Sequence, residues 1–487
     1  VHQEVQETLT AMGPGLAYSR LLRLRSGRGD QPNLLLECDL CQNWELSDDF
    51  SYVFNLRPDI RWQNVAPVNG RALTAEDVVF SLNRLKTPGW PNATLLASIG
   101  KATALGDLSL QIDLAFEDAD ALLALADGHA KIVAPEAVAV TGDLKYGPVI
   151  GTGPWIWQET AAESMEFVRN TDYFENGLPF LDQLNVSVLR SGALVGANDP
   201  DQVAAFQAGL VDVMSVGASE WDMVREGDTE FQSVVSRRSG AGVVLVMNSR
   251  KPGLKETPVR QAVFQAIDPW DYLDIVWAGE GFASVGIPVR ETDWLLDRPE
   301  MRRSFFADPG KARELLLNSG QPLPVDLEVT VRIERTGGED LVLERKLMSD
   351  LTAVGFNPEL RRMNPVQFND LVIGPTKDFQ LAVGAIPPTS TTNSYLFGLL
   401  HSKGQWNLAG HNDAQLDSMI EAQAMEFNDI VRRDQLVDIQ RQVLDQAYLF
   451  SPVTTASRWV FSNDLKGFEP NTALSEYNFW SRAWLDR

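Results

Sequence analysis

The sequence has few of the groups that support covalent or redox chemistry. Its 487 residues include two cysteines and four histidines, and two cysteines are too few for a disulfide scaffold. It also lacks an apolar run of the roughly 18–20 residues that a membrane-spanning helix needs. The purest apolar stretch covers only residues 121–126. We therefore expect no spanning helix, and any secretion signal or lipid anchor would lie upstream of Val1.

Basic charge is also scarce. The chain has 42 Lys+Arg against 66 Asp+Glu, which gives a formal net charge of −24. A surface of this sign repels phosphate backbones, so the composition argues against a general nucleic-acid binder. The hydrophobic content of 44% is enough for a large core. The length predicts about three domains, or two large lobes with an addition.

The two cysteines stand as C-x-x-C, at Cys38 and Cys41. This spacing is found in redox pairs, in halves of metal sites and in local disulfides. The surrounding residues show no strand-to-helix turn of the kind that redox pairs occupy, and there is no second pair to complete a zinc site. The sequence favours buried thiols or a local disulfide over a redox centre.

Motifs of the common enzyme classes are missing. The chain contains no P-loop, no G-x-S-x-G elbow and no H-E-x-x-H zinc motif. With 66 acidic residues, no single carboxylate pair identifies a glycosidase. His401 and His411 lie in a Gly/Asn/Ser-rich stretch where a metal site is conceivable, although two exposed loop histidines are the simpler interpretation. We predict no enzyme, no metal and no cofactor.

The hydrophobic pattern alternates short strand-like runs with helical stretches, which predicts an α/β protein. Strands are predicted at residues 52–56, 108–114, 184–188 and 243–247. Helices are predicted at residues 73–85, from Pro258, from Asp308, at 339–354, and at 413–447 with a break near 428–429. Thr74 and Asp77 have the spacing of a capping box, and Asp308-Pro309 has the pattern of a helix start.

The most specific motif is LTAEDVVFSLNRL at residues 73–85, preceded by a strand-pair pattern at 44–57. Five further motifs follow it: GTGPW at 151–155, RNTDYF with PFLD between 169 and 182, AGLVDV at 208–213, N…VRQA…AID between 248 and 268, and DPGKA from 308. In this order, over residues 16–487, they resemble the dipeptide/oligopeptide/nickel-type extracellular solute-binding proteins of ABC importers.

This resemblance implies a two-lobed, periplasmic-binding-protein-like α/β fold with a hinge. Lobe I would comprise residues 1–38, 166–240 and 453–487, an extra lobe inserted in it residues 39–165, and lobe II residues 243–452. The chain would cross the hinge near residues 239–242 and again near 451–453, where small residues and a proline are suitable hinge material.

The resemblance also implies a function without catalysis. The chain would be the extracytoplasmic, peptide-binding or other solute-binding component of an ABC transporter, periplasmic or lipid-anchored as a lipoprotein. It would act as a monomer with permease and ATPase subunits and capture a peptide-like or other polar small solute by hinge closure. The alternatives are a metal-chelate or haem-type binder that uses His401 or His411, and a secreted hydrolase.

One loop departs from the family pattern. In dipeptide-binding members, a lobe II loop carries an Asp-Pro segment whose carboxylate pairs with the ligand's α-ammonium. The corresponding residues 384–395 contain no acid. We therefore expect no recognition of a free peptide N-terminus, since an unpaired buried ammonium is costly. The Thr/Ser/Asn run would instead hydrogen-bond a neutral or polyhydroxy solute, such as a sugar oligomer or a blocked peptide. The alternative is a surface loop without ligand contact.

The candidate ligand-binding residues are positional predictions from the N-terminal segment, the strand that enters lobe II, the altered loop and the segment after it. They are Tyr18, Met247, Asn248, Pro387, Thr389, Thr392, Asn393, Tyr395, Trp406 and Asn407. Four further tryptophans are predicted to be packing residues: Trp155, Trp459, Trp480 and Trp484.

Overall fold

The computed structural model describes residues 2, 13–25, 34–47, 50–88, 90, 92–145, 147–158, 164–187, 200–216, 218–227, 229–277, 279, 283–333, 338–385, 389, 391–470 and 478–487. Pro387 lies outside the described residues. The strands are β1 Leu22–Leu24, β2 Leu36–Cys38, β3 Cys41–Leu46, β4 Ser51–Leu56, β5 Ile99–Gly106, β6 Ser109–Leu114, β7 Trp155–Trp157, β8 Ser164–Arg169, β9 Gln183–Ser187, β10 Val213–Val216, β11 Phe231–Met247, β12 Val325–Arg332, β13 Phe356–Met363, β14 Leu381–Ala385, β15 Leu449–Ser462, β16 Leu465–Lys466 and β17 Trp484–Leu485.

The α-helices are spread along the same described residues. They are α1 Ala75–Leu85, α2 Ala121–Ala126, α3 Pro135–Thr141, α4 Pro200–Gln207, α5 Ala218–Glu226, α6 Thr257–Ala266, α7 Pro269–Trp277, α8 Arg298–Ser304, α9 Pro309–Asn318, α10 Gly338–Val354, α11 Pro365–Phe368, α12 Thr392–Tyr395, α13 Ala414–Ala424 and α14 Asp429–Asp445. Short 3₁₀ turns lie at Pro14–Ala17, Ala93–Leu96, Thr292–Trp294 and Asn478–Ser481, and π turns at Asn369–Ile373 and Leu396–Leu400.

Helix starts follow the local capping pattern. The Thr74–Asp77 capping box precedes α1, and the Asp308 carboxylate accepts a hydrogen bond from the Lys311 amide at the start of α9. The predicted break near residue 428 lies between α13 and α14, where the Asn428 side chain caps the second helix. These caps satisfy amides that have no partner within their helix.

One mixed sheet runs through both predicted lobes, in the strand order β10-β15-β11-β14-β12-β13. The long strands β11 and β15 pair antiparallel and carry the chain from one lobe to the other. Their register shifts between Arg237 and Gly242, and again between Val243 and Leu245. These irregularities fall at the residues for which a hinge is predicted. The lobe boundaries themselves stay a prediction.

The buried hydrophobic residues form separate clusters. The largest draws only on residues 244–450 and packs helices on the lobe II half of the sheet. A second, from residues 21–150, lies mainly in the extra lobe, between α1 and the four-stranded sheet β3-β4-β6-β5. A third joins Trp155, near the end of the predicted extra lobe, to Trp459 and Trp480 of lobe I. Lobe II and the extra lobe thus have separate hydrophobic cores.

Of the alternatives left open for the cysteines, the structure shows the local disulfide. Cys38 and Cys41 are bridged, with their Cα atoms 5.0 Å apart. The bridge joins the end of β2 to the start of β3. It closes the turn that leads into the extra lobe.

Among the described residues, no helix combines the length and the hydropathy that crossing a bilayer requires.

Candidate functional site

Lobe II and the extra lobe meet along a polar contact that we call the seam. It consists of Asp118, Ala119 and Asp120 from the extra lobe and Asn393, Gln423, Ala424 and Arg432 from lobe II. The Ala119 amide donates to the Ala424 carbonyl oxygen at 2.8 Å. This bond joins the backbone of the extra lobe to that of lobe II. The carboxylates of Asp118 and Asp120, on either side of Ala119, bind other groups of lobe II.

A buried ion pair lies at the centre of the seam. Arg432 Nη1 donates to Asp120 Oδ1 at 2.7 Å, and each side chain is 2% exposed. The guanidinium also donates from Nε to Gln423 Oε1 and from Nη2 to Asn393 Oδ1, both at 3.2 Å. A charge removed from water is tolerated only when it is paired and hydrogen-bonded in this way.

Asn393 contributes its backbone amide and its side chain to the seam. Its backbone amide donates to Asp120 Oδ2 at 2.7 Å, and its Nδ2 donates to Asp118 Oδ1 at 2.5 Å. Its Oδ1 accepts from Gln423 Nε2 at 2.8 Å as well as from Arg432. The residue therefore connects the two acidic residues of the extra lobe to two donors of lobe II.

Local structure explains how these groups reach one another. Asn393 stands in the first turn of α12, whose start is fixed by a Thr391–Ser394 capping box. Asp120 occupies the N-cap position of α2, but its carboxylate makes no cap bond and points to lobe II. Its own amide is bound by the Asp118 carboxylate at 2.9 Å, which orders the acidic turn.

The acidic turn lies in a desolvated environment. Burial raises the pKa of Asp118, and the neighbouring Asp120 carboxylate adds to the rise. Hydrogen bonds from Ser98, the Asp120 amide and Asn393 oppose it. Burial, with the Asp118 charge, also raises the pKa of Tyr52 to about 12. The burial of Asp118 and the like charge of Asp120 therefore favour the protonated form of Asp118 in this structure.

Smaller contacts extend the interface. Phe50 of the extra lobe packs against Phe427 with ring centroids 5.6 Å apart. Leu34 of the predicted lobe I adds a contact to lobe II, since its amide donates to the Arg290 carbonyl at 3.1 Å. The Arg290 side chain pairs with Asp429 within lobe II.

Three other predicted residues of the altered loop, Thr389, Thr392 and Tyr395, are buried. The Thr392 hydroxyl donates to the Pro288 carbonyl and the Tyr395 hydroxyl to the Val285 carbonyl, each at 2.6 Å. The Thr389 hydroxyl has no hydrogen-bond partner within the described part of the chain, although the residue is only 8% exposed. Most of the Thr/Ser/Asn run is thus committed to internal bonds, and Thr389 retains an unused donor and acceptor.

Two predicted asparagines bind backbone groups of lobe II. Asn248 donates to the Lys377 carbonyl and accepts from the Arg250 amide. Asn407 donates to the carbonyls of Ser402 and His411 and accepts from the Gly410 amide. Their visible role is to hold loops in place, and their part in ligand binding stays a prediction.

The remaining predicted residues lie in or against cores. Met247 is fully buried, and Trp406 is half-buried over Gly398. Tyr18 is 3% exposed beside Val133, and burial raises its pKa. The packing role predicted for Trp155, Trp459 and Trp480 agrees with their burial. The same prediction is wrong for Trp484, which is 41% exposed.

The two lobe II histidines are buried, which corrects the expectation of exposed loop residues. His401 Nε2 lies 3.2 Å from Glu421 Oε1, and its Nδ1 accepts from the Lys403 amide. His411 stacks on Tyr448 with centroids 4.3 Å apart, and burial lowers its pKa. Across the described residues, no cluster of three or more His, Cys, Asp or Glu could hold a metal ion.

Sequence reasoning missed Asp118, Asp120, Gln423 and Arg432. One signal was available, because Arg432 stands on the buried stripe of α14 with Leu436, Ile439 and Val443. A cation at an apolar-face position implies a buried partner. The acidic turn gave no such signal, since Asp before an apolar run reads as a helix cap.

The amino-acid sequence matches a known protein family. The family model described as bacterial extracellular solute-binding proteins, family 5, matches residues 36–407. Curated relatives include the heme-binding protein A of Haemophilus influenzae, 24% identical with 83% of this chain and 75% of that protein covered. They also include the dipeptide-binding protein of Escherichia coli, 25% identical with 62% and 57% covered.

Solved structures share the whole architecture. The ABC transporter substrate-binding protein CtaP of Listeria monocytogenes has a TM-score of 0.81 at 18% identity, covering 100% of this chain and 96% of that one. The periplasmic binding protein DppA of Helicobacter pylori, in complex with the peptide STSA, has a TM-score of 0.73 at 18% identity, with 100% and 95% covered. At these identities the likeness shows the fold, which is the two-lobed one that the sequence predicted.

Proposed function

Because the chain belongs to family 5 of the bacterial extracellular solute-binding proteins, we propose that it captures a peptide-like or other small polar solute between its lobes for an ABC importer. The family match over residues 36–407 carries this proposal. Permease and ATPase subunits in the membrane would be its partners, and an extracytoplasmic location follows from the family. We propose no catalytic role, since the family consists of solute-binding proteins.

The geometry supports capture by closure. One sheet spans both lobes, and its two long strands lose their regular register near residues 237–245. Lobe II and the extra lobe have separate cores and touch through the polar seam. A protein built in this way can open at the two long strands and close on a solute. The solute shifts the balance between open and closed forms because it binds the closed form more tightly.

The altered loop bears on the chemistry of the solute. Residues 384–395 contain no carboxylate, so this loop has no counter-charge for a peptide ammonium. The hydroxyls of Thr391 and Thr392 and the amide of Asn393 are already bonded within the protein, which leaves the loop poorly suited to a polyhydroxy solute. These observations favour a blocked peptide or another neutral, peptide-like solute that would use the Thr389 hydroxyl.

Native mass spectrometry of gently purified protein tests this function. We expect a mass increase corresponding to one small solute per chain, with the solute released on denaturation and identified by fragmentation. Protein that has been unfolded, dialysed and refolded is the matched control and should lack the adduct. A chain with no adduct, whose melting temperature no blocked or free di- to tetrapeptide raises, would contradict the proposal.

The positions of His401 and His411 do not favour the haem-type alternative. A relative is named as a heme-binding protein, but both ring nitrogens of His401 have partners within lobe II. His411 is buried and stacked on Tyr448. Neither histidine is presented to a ligand in this arrangement.

A further inference from the structure

The seam has the composition of a contact that opens and closes. Its acceptors, the Asp118 and Asp120 carboxylates, lie on the extra lobe, and its side-chain donors, Asn393 and Arg432, lie on lobe II. Charged groups of this kind are well hydrated when the lobes separate. Burying them costs desolvation, which the ion pair and three further hydrogen bonds between the lobes offset.

The seam also acts on the predicted ligand loop. Asn393 belongs to the turn that follows Thr389, and its amide and side chain are both bound by the extra lobe. Closing the seam therefore adds two bonds from the extra lobe to the first turn of α12, which ends the loop at residues 384–395. The extra lobe, which is not one of the two lobes joined by the hinge, thus contacts the predicted ligand loop.

We infer that the seam is a latch: Asp118 and Asp120 of the extra lobe grip Asn393 and Arg432 and draw lobe II toward the closed form in the protein without solute. The inference goes beyond the proposed function, because it concerns the balance between open and closed forms in the absence of solute. It rests on that function only in taking the closed form to be the one that holds a solute. The balance can be measured without knowing the solute.

Small-angle X-ray scattering of solute-free protein tests the latch. We expect Asp120→Asn, which removes the charge that pairs with Arg432, to raise the radius of gyration by roughly 1 Å from a compact value near 23 Å. Asn393→Ala should act in the same direction, and it serves if the first variant folds poorly.

Glu300→Gln is the matched control. It neutralises one carboxylate of the Glu300–Arg441 pair, which lies within lobe II and is partly exposed, and it should leave the radius unchanged. Equal radii for the wild type, Asp120→Asn and Asn393→Ala would overturn the latch. That result would leave the solute-binding proposal standing, because that proposal is decided by the adduct in native mass spectrometry.

Discussion

Gly151→Ala is expected to disrupt the junction between the N-terminal segment and the extra lobe. A Cβ at this position would lie 1.9 Å from the Ala17 carbonyl oxygen and 2.8 Å from the Tyr18 Cα. Both contacts are to backbone, which cannot rotate away, so the two segments must separate. We expect a loss of at least about 3 kcal/mol of unfolding free energy, at the upper end of overpacking effects.

The neighbouring bonds explain why the chain cannot relax easily. The Gln63 amide donates to the Gly151 carbonyl and the Gln63 side chain accepts from the Gly151 amide. The Gly153 amide donates to the Ala17 carbonyl at 2.9 Å. Moving Gly151 away from Ala17 therefore breaks several buried hydrogen bonds together, and each buried group left unpaired adds to the loss.

Urea unfolding and hydrogen exchange at residues 14–18 measure the effect. Gly106→Ala is the control, since a Cβ there meets nothing within 4 Å, and it should unfold like the wild-type chain. If Gly151→Ala kept wild-type stability and unchanged hydrogen exchange in the N-terminal segment, the result would contradict the close approach of Ala17 to Gly151.

Arg432→Met is expected to cost more than the loss of an ordinary salt bridge. The substitution leaves the Asp118 and Asp120 carboxylates buried with no cation between the lobes. Removing one partner of a buried pair costs about 3–5 kcal/mol, whereas removing both charges is often tolerated. The double variant Asp120→Asn, Arg432→Met should therefore be more stable than Arg432→Met alone, since the new amide still accepts from the Asn393 amide.

A double-mutant cycle in urea isolates the pair, with a coupling of about 2 kcal/mol expected. Arg441→Met removes an exposed arginine from its pair with Glu300 and should cost less than about 1 kcal/mol. Because the seam can open, part of the cost will appear as lobe separation, and scattering on the same variants will detect it. Additive effects of the two seam substitutions would contradict a coupled buried pair.

Elements with local signals were predictable from the sequence. Thr74 with Asp77, Asp308 with Pro309, and the cap at Asn428 each place a helix start through residues at most a few positions apart. Such signals depend on the amides that every helix leaves unpaired at its start. The order of the motifs along the chain resembles that of the solute-binding family, and this resemblance predicted the two-lobed fold.

The seam was not predictable, because its partners are distant in sequence. Asp120 and Arg432 are separated by 312 positions, and neither residue alone reveals its partner. The burial of His401 and His411 escaped prediction for the same reason, since a Gly/Asn-rich stretch reads as exposed when its packing surface is unknown. Asn393, chosen for its place in the altered loop, contacts the other lobe through a relation that only the fold reveals.

Distances between spin labels test the central claim, capture of a solute by closure, most directly. Leu105 in the extra lobe and Leu317 in lobe II are 57% and 67% exposed, and cysteines at both positions would carry the labels without touching a core. For solute-free protein we predict a mixture of a longer and a shorter distance. Adding the solute recovered from the purified protein should leave the shorter one alone. A distance distribution that bound solute leaves unchanged would contradict the account.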